Sequence, residues 1–223
     1  MISEMLNNRG FNTLIYDDAY AKICLIASII SEFQNQSRVA RGKIVYLDLD
    51  AAFTSYVKAG LIPSIEIQRI DDYTYQSESS ALKIYLPSED IFDIIMVDII
   101  RSMNECSLII FDSINSFNNL FYDKILHNLN NQLKIGNLNQ LLYFILMMVL
   151  KHTSESNIPF LVTSMIRYKR KEVVTSNRLL SKKSSLNFYV KIKNLNDLSI
   201  TILGDPKVNQ KNFIMKDKVL RWT

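Results

Sequence analysis

Apolar residues fall along this chain in two kinds of run. Short, near-continuous runs read as strands buried on both faces. Longer stretches with apolar positions three or four apart read as helices. Residues 12–16 predict a strand and 19–33 a helix, in which Ile23, Leu25, Ile26, Ile29 and Ile30 spread over most faces. Lys43-Ile44-Val45-Tyr46-Leu47 predicts a second buried strand, followed by a short helix over 51–59 that Gly60 closes. Residues 65–70 alternate with period two and predict a strand, and 71–80 predict an acidic, hydroxyl-rich loop. Ser88 reads as the cap of a helix over 89–104, because acids follow it and Ile91, Ile94, Ile95 and Ile99 repeat with helical spacing. Residues 107–111 predict another buried strand. A helix over 118–133 is expected to end at Gly136. A strongly apolar helix over 138–154 leads to a strand at 158–163.

The last quarter reads differently. Residues 167–183 predict a basic, irregular loop. Strands over 187–193 and 198–203 are joined at 194–197, and a last strand lies near 212–215. Strand–helix alternation with an antiparallel ending predicts an α/β fold: a mostly parallel central sheet flanked by helices, with an antiparallel C-terminal edge. Residues 1–223 are expected to form one domain.

Composition narrows the chemistry. Of 223 residues, 48% are hydrophobic and 22% charged, which suits a globular core. Five glycines are few for a glycine-built nucleotide loop, and a net charge of +4 makes nucleic acid one possible partner. Cys24 and Cys106 lie in apolar runs, with no CxxC and no nearby histidine pair, so no zinc site is expected. The apolar stretch 141–150 is too short to span a bilayer, and no signal peptide is read at the start. No membrane partner and a cytoplasmic location are expected.

Three segments carry candidate chemistry. Tyr16-Asp17-Asp18-Ala19-Tyr20-Ala21-Lys22-Ile23 stands where a phosphate loop would stand, between a strand and an apolar helix. A working loop reads G-x-x-x-x-G-K-[S/T], and here only Lys22 remains. Tyr16 and Ala21 replace the glycines, Ile23 replaces the magnesium hydroxyl, and Asp17 and Asp18 would repel phosphate. In the second segment a strand runs into Asp48-Leu49-Asp50 and then Ala51-Ala52-Phe53. Its acids could orient water or magnesium, or simply start a helix at the positive end of its dipole. In the third, an apolar strand ends in Asp112-Ser113, which suits either a magnesium shell or an ordinary turn.

The order and spacing of these units resemble the RecA-like recombinase core, most closely the archaeal RadA and RadB group and its paralogues. In that family the second strand ends in Asp-Thr-Glu before small residues and Phe, matched here by Asp48-Leu49-Asp50 and Ala51-Ala52-Phe53. The Walker B strand ends in Asp-Ser, matched by Asp112-Ser113. The strand that ends in Thr-Asn-Gln is matched by Thr163-Ser164-Met165. Phe213-Ile214-Met215 resembles the Phe-x-Ile that closes the core.

The resemblance implies residual Walker-like positions at Lys22, Asp50 and Asp112, with Lys22 and Asp112 left to touch any nucleotide. It also implies the loss of too many companions for efficient hydrolysis. No cofactor is expected, with ATP and magnesium as the remaining alternative. Lys22 is expected to pair internally with Asp17, Asp48, Asp50 or Asp112. The family's DNA-contacting loop falls on Arg167, Tyr168, Lys169, Arg170 and Lys171, continuing through Arg178, Lys182 and Lys183. The helical N-terminal DNA-binding domain of full-length recombinases is not expected.

Three functions follow from the resemblance. The first is a non-catalytic recombinase paralogue, an accessory factor in DNA recombination or repair. It would bind single- or double-stranded DNA, a RecA/RadA-family partner, or both, as a homo- or hetero-oligomer. The second is a KaiC-like scaffold or regulator acting through protein contacts alone. The third is a divergent active ATPase.

Overall fold

The computed structural model describes residues 3–6, 11–36, 42–121, 135–169, 171–174, 184–194, 197–203, 211–216 and 219–222. Strand β1 (Phe11–Tyr16) leads into helix α1 (Ala19–Gln36), then β2 (Lys43–Asp48) and α2 (Ala52–Lys58). Three short strands follow: β3 (Ile67–Arg69), β4 (Thr74–Ser77) and β5 (Leu82–Tyr85). Next come α3 (Phe92–Ser102), β6 (Cys106–Asp112), α4 (Ile114–Leu120), α5 (Ile135–Glu155) and β7 (Phe160–Lys169). The chain closes with β8 (Lys171–Val174), β9 (Ser184–Asn194), β10 (Asp197–Leu203), β11 (Lys211–Lys216) and β12 (Val219–Trp222).

The described strands form one sheet in the order β12-β11-β10-β9-β1-β7-β6-β2-β5-β4-β3, with β8 paired to β7 outside that path. From β9 to β5 every neighbouring pair is parallel. Antiparallel strands flank this centre on both sides, β9 to β12 at one and β5 to β3 at the other.

Alternation along each strand sorts the core into two layers. Ile44, Tyr46, Leu108, Ile110 and Leu161 face α1 and α2, packing with Ile23, Ile26, Ile30 and Phe53. Val45, Leu47, Ile109, Phe111, Phe160 and Val162 face the other way, against Ile95 and Ile99 of α3 and Leu142, Leu146 and Val149 of α5. The result is three layers, a central sheet with helices on each face. Because β1, β2, β6 and β7 all run the same way, their carboxyl ends meet along one edge. Tyr16 stands beside Met165 there, and Asp48 beside Asp112.

Several expectations are corrected. The region read as a loop at 71–80 contains β4, and β5 beyond it is the parallel neighbour of β2. β4 is mostly polar and β5 is only four residues long, so neither shows as an apolar run. Ser88 makes no side-chain cap; a 3-10 turn, Glu89–Ile91, precedes α3 instead. Gly136 does not end a helix, since it lies within α5. Of the helix expected over 118–133, residues 118–120 belong to α4 and 122–133 lie outside the described residues. Gly60 does follow α2 as expected, with φ 69°.

Candidate functional site

The connection from β1 to α1 is two residues long, Asp17 and Asp18. α1 starts at Ala19 because Asp18 caps it: the Asp18 carboxylate accepts the backbone N–H of Ala21 at 2.8 Å, and the Asp18 carbonyl accepts that of Lys22 at 3.1 Å. These are donors that a phosphate loop would turn toward its ligand. Here the chain's own aspartate engages them. Ala21 and Ile23 are fully buried in the core beneath α1.

Lys22, in the first turn of α1, points into the protein and is 1% exposed. Its Nζ donates to both oxygens of Asp112, at 2.9 and 2.7 Å, and lies 5.1 Å from the centre of the Tyr16 ring. Asp112 also accepts hydrogen bonds from the Tyr46 hydroxyl and the Thr163 hydroxyl. Strand order explains the choice of partner, since β6 lies two strands from β1 and β2 lies three. Of the four carboxylates open to Lys22 in the sequence, Asp112 is therefore the one that takes up the ammonium. Burial, the largest single influence, opposes the cation, but the charge of Asp112, with Tyr16, Asp50 and the Asp112 hydrogen bonds, together outweighs it and holds Lys22 above its ordinary pKa. Burial, then the Asp112 charge, keeps the Tyr46 phenol protonated well above its usual range.

The other two acids serve the second helix. One oxygen of Asp48 accepts the backbone N–H of Thr54 at 2.7 Å and its hydroxyl at 2.6 Å. Asp48 Oδ1 is buried without a hydrogen-bond partner. Burial and the Asp112 charge push Asp48 up to about 7, against the lowering effect of the Thr54 bonds. Asp50 is exposed and joins two elements, accepting from Ala52 N at 3.1 Å and from the Ser116 hydroxyl of α4 at 2.9 Å. Ser113 caps α4 through the backbone N–H of Ser116. Met165, which stands where the family's strand ends in glutamine, donates its backbone N–H to Asn115 Oδ1 at 2.8 Å.

Among the described residues, no group of three His, Cys, Asp or Glu side chains is placed to hold a metal ion. The arrangement does not fit ATP and magnesium. Its cation is neutralised and enclosed, its carboxylate already accepts four hydrogen bonds, and the helix N-terminus is capped.

The described start of the basic segment is not irregular as expected. β7 continues through Arg167, Tyr168 and Lys169, and β8 opens with Lys171, so the start of the segment is an antiparallel hairpin. In that hairpin Ile166 pairs with Val174. Arg170, Arg178, Lys182 and Lys183 lie outside the described residues. Among the described helices, none is long and apolar enough to cross a membrane.

Tyr46, Thr163, Thr54 and Asp18 are the residues that sequence reasoning missed. A tyrosine inside an aliphatic buried strand was the available signal, because a buried phenol needs a partner. Comparison with protein-family models and with curated proteins finds no match.

Proposed function

We propose that this chain is a RecA-like domain that no longer works as an ATPase. On this reading it is an accessory factor in DNA recombination or repair, engaging DNA, a recombinase-family partner, or both. The observation that carries the non-catalytic half is the buried Lys22–Asp112 pair beneath a helix that Asp18 caps. The two Walker-like residues that could have met a nucleotide meet each other. Support for the RecA-like half comes from the lysine helix after the first strand, the acids at one carboxyl edge and the antiparallel C-terminal strands. Phosphoryl transfer needs positioning and charge compensation together, and neither is free here. Isothermal titration with ATP and Mg²⁺ is expected to give no binding in the micromolar range. Micromolar affinity would return the chain to the divergent ATPases.

The DNA half rests on the β7–β8 hairpin, whose backbone brings Arg167, Tyr168, Lys169 and Lys171 together at its tip. Cations beside an aromatic suit a phosphate backbone and a stacked base. Replacing Arg167, Lys169, Arg170 and Lys171 by alanine is expected to weaken single-stranded DNA binding in fluorescence anisotropy. The salt slope should fall by about 1 for each phosphate that the variant no longer neutralises. Unchanged binding and slope would favour a scaffold acting through protein contacts, a reading to which the exposed apolar side chains of α3 and α5 also lend weight.

A further inference from the structure

Helices α3 and α5 cover one face of the sheet without closing over each other. Between them is a cavity of about 520 Å³, with Phe92, Met96 and Ile145 among its lining. Val97, Leu141 and Phe144 line it too, and they are 46%, 42% and 65% exposed. A second cavity of about 480 Å³ shares Asp93 and Val97 and adds Ile94, which is 58% exposed. Scattered apolar residues on a surface are ordinary, but a grooved, contiguous set marks an interaction site.

Two features define what fits there. Both walls are helices, whose backbone groups bond within themselves. An extended segment would find no backbone partners in the groove, whereas a helix brings its own bonds satisfied. The second feature is charge. Glu89, Asp90 and Asp93 line the first cavity where α3 begins, with no cation among its described lining residues, while Lys83 and Arg101 line the second. Asp90 and Asp93 are exposed. The acids sit at one end of the groove, and that placement orients an incoming basic segment.

We propose that the α3–α5 groove docks an amphipathic helix of a partner protein. Its apolar face, with a large anchor, would fill the cavity beside Phe144, and lysines or arginines at one end would meet Asp90 and Asp93. The inference does not depend on DNA binding or on the fate of the nucleotide site.

The test uses the whole chain and a labelled helical peptide. Leucines and one phenylalanine form one face of the peptide, and lysines sit at one end. A scrambled peptide of the same composition is the control. Anisotropy is expected to show saturable binding of the helical peptide, at least about tenfold weaker for the scrambled one and for the Phe144→Ala and Asp90→Lys/Asp93→Lys variants. All three replaced side chains are exposed; Phe144→Ala should melt with the wild type, and Asp90→Lys/Asp93→Lys slightly below it, because it puts cations at the N-terminal end of α3. Equal binding of both peptides, or wild-type affinity in both variants, would overturn the proposal. So would a wild-type dimer in sedimentation that Phe144→Ala dissociates, since a second copy would then be the occupant.

Discussion

The carboxyl edge of the sheet and the α3–α5 face treat their chemistry in opposite ways. At the edge, Lys22 and Asp112 are buried, and the donors around Asp112 converge on it. At the face, Phe144 and Ile94 stand largely in water above a groove. The edge has the residue types of a reactive site but directs them inward. The face has no reactive residue types but leaves surface uncovered. Motif-like residues thus mark a stabilising network here, and the surface free for a partner lies away from them.

The sharpest way to break this contrast is to remove Asp112. Asp112→Ala leaves Lys22 as an uncompensated buried cation and is expected to cost about 3–5 kcal/mol in urea unfolding. A Lys22→Met/Asp112→Leu double replacement should recover much of that loss. If the double variant unfolds as readily as the single, the pair is not the unit that matters.

The next effect is a pH dependence at the same edge. Folded Asp48 titrates near 7, above its ordinary value. The folded state therefore holds a proton that the unfolded chain releases, and this contribution to stability is full below about pH 4 and falls as pH rises toward 7. The ceiling on the loss is about 4 kcal/mol. Asp48 Oδ1, buried and unpartnered, is the oxygen on which that proton would sit. Urea midpoints across this range should decline less steeply for Asp48→Asn. A parallel decline in both proteins would assign the effect elsewhere.

Asp18→Ala removes the cap of α1 and is expected to cost about 1 kcal/mol. No gain of ATP binding should accompany it. The smallest effect belongs to the face: Phe144→Ser should change stability by less than about 0.5 kcal/mol. A loss several times larger would mean that Phe144 is part of the fold.

The central strands were legible because β1, β2, β6 and the first half of β7 are apolar runs with no competing reading. The long helices α1 and α5 were legible for the same reason. β5 was not, since Leu82-Lys83-Ile84-Tyr85 is only four residues long and interrupted by Lys83, and its partner β2 lies far off in sequence. At the site, the sequence offered Lys22 four acids, and strand order favours Asp112 over Asp48 and Asp50. Asp18 was legible in principle as an acid directly before a helix, but the phosphate-loop reading made it look like an obstacle to a ligand. In the fold it takes the place of one.

β1 sits between β7 and β9, parallel to both. The hydroxyl of Thr13 reaches that of Ser184 across 171 residues of chain, and Lys22 waits 90 residues for Asp112. β1 is therefore made well before either of its neighbours, and its pairing must wait for them. Such distant pairings slow folding, because loop closure costs entropy before any contact offsets it. A ribosome would release the intervening strands and helices before β1 could find either neighbour.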